Sequence, residues 1–340
     1  MEIKDAIRKV VGREHLTEAE AHGAMGRVMD GQATPAQIAA LITALRMKGE
    51  TVEEIAGFAR AMRERARRIT PSASALIDIV GTGGDRLSTF NISTTSAFVV
   101  AAAGGYVAKH GNRAVSRLCG AADVLEALGV PVQVPPEVAR RAIEDIGIGF
   151  LFAPIYHAAM KHAVAPRREI AIRTVFNILG PLTNPADAAY LVVGTYDPSL
   201  TEIMARVLGE MGARRALVVH GLDGIDEVST LGPTRVSELR DGQVRTYTVT
   251  PDDLGVPPAK PADIGGGSPE ENAAIATAVL RGEDGPRTDI VLANAGAALM
   301  TAGLADSWAE GVALARRAVT SGAAYEKLEA LRAHSRAAVS

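Results

Sequence analysis

The sequence is poor in cysteine, in aromatic residues and in long apolar runs, and each shortage excludes a class of protein. Its 340 residues contain one cysteine, Cys119, so neither a disulfide framework nor a cluster of thiolate metal ligands is expected. Aromatic residues make up only 4% of a chain that is 47% hydrophobic. This balance favours aliphatic helices packed on a buried sheet over an aromatic platform that stacks nucleic-acid bases.

The sequence also lacks a strong net charge and a targeting signal. It carries 36 basic and 39 acidic residues, a net charge of −3, so non-specific nucleic-acid binding is not expected, although a local basic pocket is compatible with this balance. The first residues, MEIKDAIRKVVG, lack the apolar core of a signal peptide. No run approaches the ~18 apolar residues of a membrane span. We therefore expect a soluble, cytoplasmic protein that binds neither nucleic acid nor a membrane.

The first 70 residues are predicted to be helical. In a capping box, a threonine and a residue three positions on satisfy the first N–H groups of a helix. Such boxes open three of the predicted helices: Thr17 with Glu20, Thr34 with Gln37, and Thr51 with Glu54. The polar, proline-bearing stretch PSAS follows this region, and we expect a domain boundary near residue 70.

After this boundary, short apolar strands alternate with helices. The predicted strands are ALIDIV, YVAKHG, IGFLFAP, AYLVVGTYD and ALVVHG. Such alternation is typical of a mainly parallel sheet covered by helices on both faces. A hairpin is predicted around Asp241-Gly242, at an edge of the sheet. Ser199 is predicted to cap the helix that precedes ALVVHG.

The middle stretch HAAMKHAVAPRREIAIRTVFNILGPLTNPADA is helical and then broken by proline, unlike the strands on either side of it. We expect it to rejoin the N-terminal helices. The predicted organisation is therefore a small helical domain, 1–70 joined by about 165–190, and a larger α/β domain, 71–340, with a mainly parallel central sheet.

The loop GTGGDRLSTFNIST, at 81–94, follows the first predicted strand. It is not a dinucleotide fingerprint, because the third glycine of that motif falls on Arg86, and it lacks the Gly-Lys-Ser/Thr of a Walker loop. Its glycines expose N–H groups, and its hydroxyls lie at a helix start, where free donors and the helix dipole attract anions. The pattern favours phosphate binding. The alternative is an ordinary turn with a hydroxyl cap.

A second loop, KHGNRAVSR at 109–117, follows the next predicted strand. Its charged and amide side chains are Lys109, His110, Asn112, Arg113 and Arg117. Ligands of open α/β sheets bind at the carboxyl ends of the strands, although a solvated charge run is an alternative. Two such loops after neighbouring strands suggest an extended ligand with several phosphates.

Two further groups carry charge of opposite sign. The turn GLDGIDEVS supplies Asp223, Asp226 and Glu227, oxygen ligands of the kind that Mg²⁺ takes together with substrate phosphates; an acidic surface turn is the alternative. The stretch PRREIAIRTVFN supplies Arg167, Arg168 and Arg173, and an arginine fork suits a carboxylate ligand; a solvated helix face is the alternative. His157, His162 and Cys119 are weak candidates for any chemistry.

Taken together, these stretches resemble the anthranilate phosphoribosyltransferase family. The resemblance runs through nearly the whole chain and is sharpest in GTGGD, NIST, KHGNR, ADVLEALG, RRE followed by RTVFNILGPLTNP, and DGIDE. It implies a fold of the nucleoside phosphorylase and phosphoribosyltransferase type, with a cleft between the two domains and a homodimer formed through the helical part. It also implies Mg²⁺-dependent transfer of phosphoribose from 5-phosphoribosyl 1-diphosphate to the amino group of anthranilate in tryptophan biosynthesis, which gives N-(5-phosphoribosyl)anthranilate and diphosphate.

The resemblance also implies roles for individual residues. The phosphoribosyl diphosphate would contact Gly81, Gly84, Asp85, Thr89, Asn91, Ile92, Ser93 and Thr94 from the first loop, and Lys109, His110, Gly111, Asn112, Arg113, Ala114, Val115, Ser116, Arg117 and Ala121 from the second. Anthranilate would meet Gly81, Asn112 and Arg167; Mg²⁺ would meet Ser93, Asp226 and Glu227. The aromatic amine is already a neutral nucleophile, so no catalytic base is assigned. Instead, Lys109, with Asp226 and Glu227 through the metal, would stabilise the transition state.

The chain departs from the family in one place. The family has a serine-rich run where this chain has Arg117-Leu118-Cys119-Gly120-Ala121, so hydroxyls are missing at Arg117 and Ala121. This difference puts the affinity for the ligand in question more than the assignment to the family. We expect the guanidinium of Arg117 to replace the lost contacts; the alternative is that it points into solvent.

Two other functions are alternatives. Pyrimidine-nucleoside phosphorylases share the architecture and the glycine-rich loop, but GPLTNP and the acidic DGIDE pair disfavour them. A non-catalytic relative that binds nucleic acid is disfavoured by the net acidic charge and by the intact metal pair.

Overall fold

A computed structural model of the chain describes residues 1–73, 75–84, 87–114 and 118–338. The fold is a small helical domain and a larger α/β domain with a mostly parallel, seven-stranded sheet, as predicted. No helix within the described ranges is long and apolar enough to cross a membrane.

The N-terminal helices that follow a predicted capping box begin where the sequence predicts. The N-terminal helices are α1 (Ile3–Val11), α2 (Glu18–Met29), α3 (Pro35–Lys48) and α4 (Val52–Glu64). All three predicted capping boxes are formed. The helices pack in pairs, α2 against α4 and α1 against α3, around buried side chains that include Leu41, Leu45 and Phe58.

The sheet places the carboxyl ends of its parallel strands at one edge. The strands are β1 (Leu76–Gly81), β2 (Tyr106–Gly111), β3 (Ile148–Phe152), β4 (Tyr190–Gly194), β5 (Arg215–Gly221), β6 (Thr234–Arg240) and β7 (Gln243–Val249), in the order β3-β2-β1-β4-β5-β6-β7. Strands β1 to β5 are parallel, and β6 and β7 are antiparallel. The strand order reverses between β1 and β4, which is the position where open α/β sheets bind ligands.

The parallel strands β1 to β5 are buried on both faces over most of their length. In β4, Val192 belongs to one apolar cluster, whereas Leu191 and Val193 belong to another that also contains the N-terminal helices. Because successive side chains of a strand point to opposite faces, helices must cover the sheet on both sides, as predicted.

The covering helices alternate with the strands. Helices α5 (Ile92–Ala102), α6 (Ala121–Ala127), α7 (Pro136–Ile146) and α8 (Ala153–Tyr156) come before the middle stretch, which contains α9 (Lys161–Ile170) and α10 (Phe176–Leu179). The later helices are α11 (Leu200–Glu210), α12 (Pro251–Leu254), α13 (Pro269–Leu280), α14 (Pro286–Thr301), α15 (Trp308–Thr320) and α16 (Ala323–Ala337).

The middle stretch lies against the N-terminal helices. Helix α9 contains Pro166 and packs on α3 and α2, and Ala163 and Phe176 share the apolar cluster of those helices. The division of the chain near residue 70, with about 165–190 joined to the helical domain, stays a prediction.

Two local predictions have different outcomes. The hairpin is confirmed: Asp241 and Gly242, both at positive φ, connect β6 to the edge strand β7, as a tight two-residue turn requires. The prediction that the Ser199 side chain caps its helix is wrong. Ser199 occupies the N-cap position of α11, but its hydroxyl donates to Asp197 Oδ1 at 2.6 Å, since a carboxylate two residues away is the stronger acceptor.

Candidate active site

The candidate site lies at the point where β1 and β4 end side by side. Gly81 and Gly194 are paired there. The turn after β5 lies across these strand ends, and Asp226 Oδ2 accepts the N–H of Gly83 at 2.8 Å. A β-carbon at Gly81 or Gly194 would collide with Asp226. Glycine is therefore required at both strand ends for the acidic turn to approach them.

The first loop continues from this point with backbone in the left-handed region. Gly83 and Gly84 have φ values of 72° and 88°, which glycine adopts readily. Arg173 donates to the carbonyl of Gly84 at 2.8 Å and lies over the ring of Tyr196. Arg173 therefore braces the loop, a role that the sequence did not reveal. Asp85 lies outside the described residues.

The loop ends at the start of α5. Thr89 pairs with Gly265 in an isolated antiparallel bridge, and Asn91 is the N-cap of the helix. Ile92 and Thr94 are buried, whereas Ser93 is partly exposed. The helix N-terminus that the sequence predicts as an anion site is therefore present beside the end of β1.

Lys109 and His110 are buried at the end of β2. Lys109 is 3% exposed and donates to the carbonyl of Ile79 at 2.6 Å. Desolvation lowers the pKa of Lys109, although the charges of Asp78 and Glu227 oppose this shift. Burial lowers the pKa of His110 to about 3, so this ring is neutral at physiological pH.

Asp78 and Asn184 join the middle of β1 and β2 to the GPLTNP segment. Asn184 Nδ2 donates to Asp78 Oδ2 at 2.7 Å and to the carbonyl of Ala108 at 2.8 Å. Asp78, 0% exposed, also accepts the N–H of His110, and burial raises the pKa of Asp78 to about 6. Neither residue was predicted from the sequence, although an aspartate inside the apolar strand ALIDIV was a signal.

Arg113 is neutralised within the second loop. Its guanidinium donates to Asp123 and to both carboxylate oxygens of Glu126, and it lies 5.5 Å from the ring centroid of Phe152. Its hydrogen bonds to Glu126 raise the pKa of Arg113 further. Arg113 is thus brought to the site with its charge already balanced.

Asp123 closes the second loop. Its Oδ2 accepts the N–H groups of Ala114 and Gly120, both at 2.9 Å. Gly111 ends β2, Asn112 accepts the N–H of Ala122 through its carbonyl, and Ala121 begins α6. The remaining predicted residues of this loop, Val115, Ser116 and Arg117, lie outside the described part of the chain.

Arg167 lies on α9, and its charge is balanced less completely than that of Arg113. It is partly buried, and its guanidinium lies 5.2 Å from the ring centroid of Phe176. Desolvation lowers the pKa of Arg167. The neighbouring Arg168 is exposed, which fits the solvated-face interpretation for that residue alone.

The three carboxylates of the acidic turn differ in exposure. Asp223 is exposed and accepts from Ile225 N–H and Ser229 Oγ, so it builds the turn. Asp226 and Glu227 are buried. Within the described residues, no group of three or more His, Cys, Asp or Glu side chains is arranged to hold a metal ion. Two adjacent carboxylates fit Mg²⁺, which completes its shell with water and phosphate oxygens.

Comparison with known proteins gives a single family. Residues 4–66 match the helical bundle domain of the glycosyl transferase family, and residues 73–325 match its a/b domain. The anthranilate phosphoribosyltransferases of Moorella thermoacetica and Symbiobacterium thermophilum are 58% and 56% identical to the chain, over 97% of each sequence.

Solved structures agree with this family. The crystal structure of anthranilate phosphoribosyltransferase from Thermus thermophilus superposes with a TM-score of 0.93 at 48% identity, covering 98% of this chain and 99% of that one. The Saccharomyces cerevisiae enzyme, in complex with PRPP and Mg, superposes with a TM-score of 0.90 at 27% identity, covering 98% of both chains. The nucleoside phosphorylase alternative is thereby set aside, and the chain belongs to the anthranilate phosphoribosyltransferase family.

Proposed function

We propose that the chain transfers the phosphoribosyl group of 5-phosphoribosyl 1-diphosphate to the amino nitrogen of anthranilate, as a step of tryptophan biosynthesis. The observation that carries this proposal is the buried pair Asp226 and Glu227, of which Asp226 is held against the ends of β1 and β4 by the N–H of Gly83. The pair lies where the strand order reverses, at the position of ligands in open α/β sheets.

The two loops would hold the phosphoribosyl diphosphate between them. On the β1 side, the start of α5 supplies N–H groups and a positive helix end, whereas the N–H groups of Thr82 and Gly83 already donate to Gly194 and Asp226. On the β2 side, Lys109 supplies a buried ammonium group. The residues assigned to this ligand are those that the family resemblance implies, including Asp85 and residues 115–117, except that Arg113, paired with Asp123 and Glu126, supports the loop rather than the ligand.

Asp226 and Glu227, with Ser93, would hold Mg²⁺. The donor set is oxygen, which suits a hard cation, and two carboxylates leave coordination places for the oxygens of the diphosphate. When bound, the ion would neutralise charge that develops on the departing diphosphate. The charge of Glu227 acts on Lys109 and opposes the lowering of its pKa, and the ammonium group would add a second positive charge to that region.

Anthranilate would be oriented by Arg167, Asn112 and the backbone of Gly81. Arg167 offers a planar fork to the carboxylate, and the partial dehydration of its guanidinium strengthens such a contact. The amine lone pair then forms the bond to C1 of the ribose while the C1–O bond breaks. The electron pair of the C1–O bond leaves with the diphosphate. The nitrogen loses its extra proton to the leaving group or to water.

A homodimer formed through the helical domain, in the cytoplasm, is part of the same proposal. Val11 and Met47 are exposed, 66% and 73%, at the ends of α1 and α3, and an apolar contact between copies would cover them. Light scattering on the purified chain tests the dimer, and a monomeric mass would contradict it.

The test of the activity is loss of anthranilate fluorescence on addition of 5-phosphoribosyl 1-diphosphate and Mg²⁺. No loss with the unaltered protein would overturn the proposed function. The variant Asp226→Asn/Glu227→Gln should lower turnover on the order of a thousandfold and raise the Mg²⁺ requirement, because transition-state charge loses several kcal/mol of stabilisation.

A matched control removes two negative charges at another position in the chain. Glu283 and Asp284 are an adjacent, exposed acidic pair after α13, and Glu283→Gln/Asp284→Asn should keep the parent's rate and Mg²⁺ dependence. If the Asp226 and Glu227 variant behaves like this control, the metal role is wrong even though the activity stands.

A further inference from the structure

The chain segment 264–272, far from both loops in sequence, lies against the end of the first loop. Gly265 and Thr89 form an antiparallel bridge, and the N–H of Gly266 donates to the carbonyl of Ser88 at 3.0 Å. A β-carbon at Gly266 would collide with the backbone of this loop. The IGGG stretch is therefore shaped to lie beside the loop immediately before α5 begins.

Asn272, in the first turn of the helix after this stretch, uses both groups of its side-chain amide. Its Oδ1 accepts the N–H of Gly267 at 2.8 Å, and its Nδ2 donates to Asn91 Oδ1 at 3.0 Å. The side chain is only 3% exposed. Because a backbone N–H faces the carbonyl oxygen, the amide is held with its nitrogen toward Asn91.

Asn91 is held from a second side by Cys119. The thiol of Cys119 donates to Asn91 Oδ1 at 3.2 Å, and Asn91 Nδ2 donates to the carbonyl of Cys119 at 3.4 Å. Burial raises the pKa of this thiol to about 11, so it is a donor at physiological pH. The side chain of Asn91 thus connects the first loop, the end of the second loop and α13.

This arrangement changes what the N-cap does. An asparagine at an N-cap usually accepts an N–H from the first turn of its own helix. Within the described helix α5, Asn91 makes no such side-chain bond, because its oxygen is directed to Asn272 and Cys119. The N–H of Ile92 donates to the carbonyl of Phe90, and those of Ser93 and Thr94 are left uncapped by the Asn91 side chain, in the orientation that binds an anion.

We propose that Asn272 is a positioning residue for the phosphoribosyl diphosphate site, and that it acts through Asn91 together with Cys119. By holding Asn91 away from its own helix, Asn272 keeps the start of α5 available to phosphate and fixes the two loops relative to each other. A preorganised site of this kind loses affinity when its supporting contact is removed. This inference rests on the proposed function, which assigns Asn91 to that ligand.

The first test is Asn272→Leu, which removes both hydrogen bonds at similar side-chain volume. The KM for 5-phosphoribosyl 1-diphosphate should rise about tenfold, whereas the KM for anthranilate and kcat should change less than about threefold. Thr277→Val is the matched control: it lies on the same helix, and its hydroxyl bonds only to the carbonyl of Ala273, within that helix. A rise of the same size in the control, or none in Asn272→Leu, overturns the proposal.

Cys119 gives a second measurement that does not require Asn272→Leu to fold. Cys119→Ala removes the thiol donor and should raise the same KM about threefold, and Cys119→Ser, which retains a donor, should restore it. If the alanine and serine variants are equal, the contact with Asn91 does not position the ligand.

A double-variant cycle separates this inference from the proposed function. If Asn272 acts through Asn91, Asn91→Ala/Asn272→Leu should raise the KM no further than Asn91→Ala alone. Effects that multiply would mean that Asn272 acts independently of Asn91, which overturns the inference and leaves the proposed function intact. If Asn91→Ala itself leaves the KM unchanged, the assignment of Asn91 to this ligand falls, and the inference falls with it.

Discussion

The second loop and the middle stretch each carry an arginine that the family resemblance assigns to a ligand, but the two charges are balanced differently. Arg113 is paired with Asp123 and Glu126 inside its own region. Arg167 faces the ring of Phe176 and is partly dehydrated. Among the described residues, no carboxylate pairs with Arg167. The first arginine therefore builds its loop, whereas the second is the one that the proposed function pairs with the carboxylate of anthranilate.

The difference shows why adjacency to a ligand site is not evidence of ligand contact. An arginine that is already bound to two carboxylates gains little from a third anion, since its donors and its charge are committed. An arginine without an internal partner costs stability when it is dehydrated, and a ligand carboxylate offsets that cost. The sequence presents both as cations in conspicuous motifs and does not distinguish them.

The variant Arg167→Ala gives the largest effect expected from this comparison. Loss of the guanidinium should raise the KM for anthranilate roughly a hundredfold, which corresponds to about 3 kcal/mol of binding free energy, because a bidentate, charge-assisted contact is removed. The KM for 5-phosphoribosyl 1-diphosphate should change much less. Arg168→Ala, one residue away and exposed, is the control and should be nearly silent in steady-state kinetics. An unchanged KM for anthranilate would remove Arg167 from the site.

Local signals explain what was predictable from the sequence. The capping boxes at Thr17, Thr34 and Thr51 and the turn at Asp241-Gly242 depend on residues at most three positions apart. The strands could be predicted because they are buried, and buried strands are apolar in composition. The strand ends then locate the ligand loops, because parallel strands share one edge of the sheet.

Long-range contacts explain what was not predictable. Asn272 and Asn91 are 181 residues apart, and Asn184 and Asp78 are 106 residues apart. Arg173 was grouped with Arg167 by sequence, but its partner is the carbonyl of Gly84. Such pairings follow from the folded topology, and no spacing rule in a single sequence identifies the partner.

Arg117 extends the comparison to a cation in the second loop that lies outside the described residues. The expectation comes from the sequence alone: if its guanidinium replaces the missing hydroxyls, Arg117→Ala should raise the KM for 5-phosphoribosyl 1-diphosphate about tenfold, the lower end of the roughly 1.5–3 kcal/mol of a charged hydrogen bond. Arg117→Ser combined with Ala121→Ser should recover much of that loss. A near-silent Arg117→Ala would show that this arginine, unlike Arg167, is not a ligand contact.

The smallest effect is expected at Asp123, which holds the second loop rather than the ligand. Despite the cost of desolvation, the N–H groups of Ala114 and Gly120 and the guanidinium of Arg113 lower the pKa of Asp123, so its carboxylate is charged and bonded in the folded state. Asp123→Asn replaces these charge-assisted contacts with neutral ones and should loosen the loop. The KM for 5-phosphoribosyl 1-diphosphate should rise about threefold.

The control for Asp123→Asn is Glu126→Gln, which weakens the other partner of Arg113 but leaves the N–H contacts of Asp123 in place. It should change the same KM less than Asp123→Asn does, because the loop ends stay joined. If the two variants are equal, the pairing of Arg113 matters more than the closure of the loop. If Asp123→Asn instead raises the KM for anthranilate as much as Arg167→Ala does, the two regions do not act separately, and the distinction between a loop-building and a ligand-binding arginine fails.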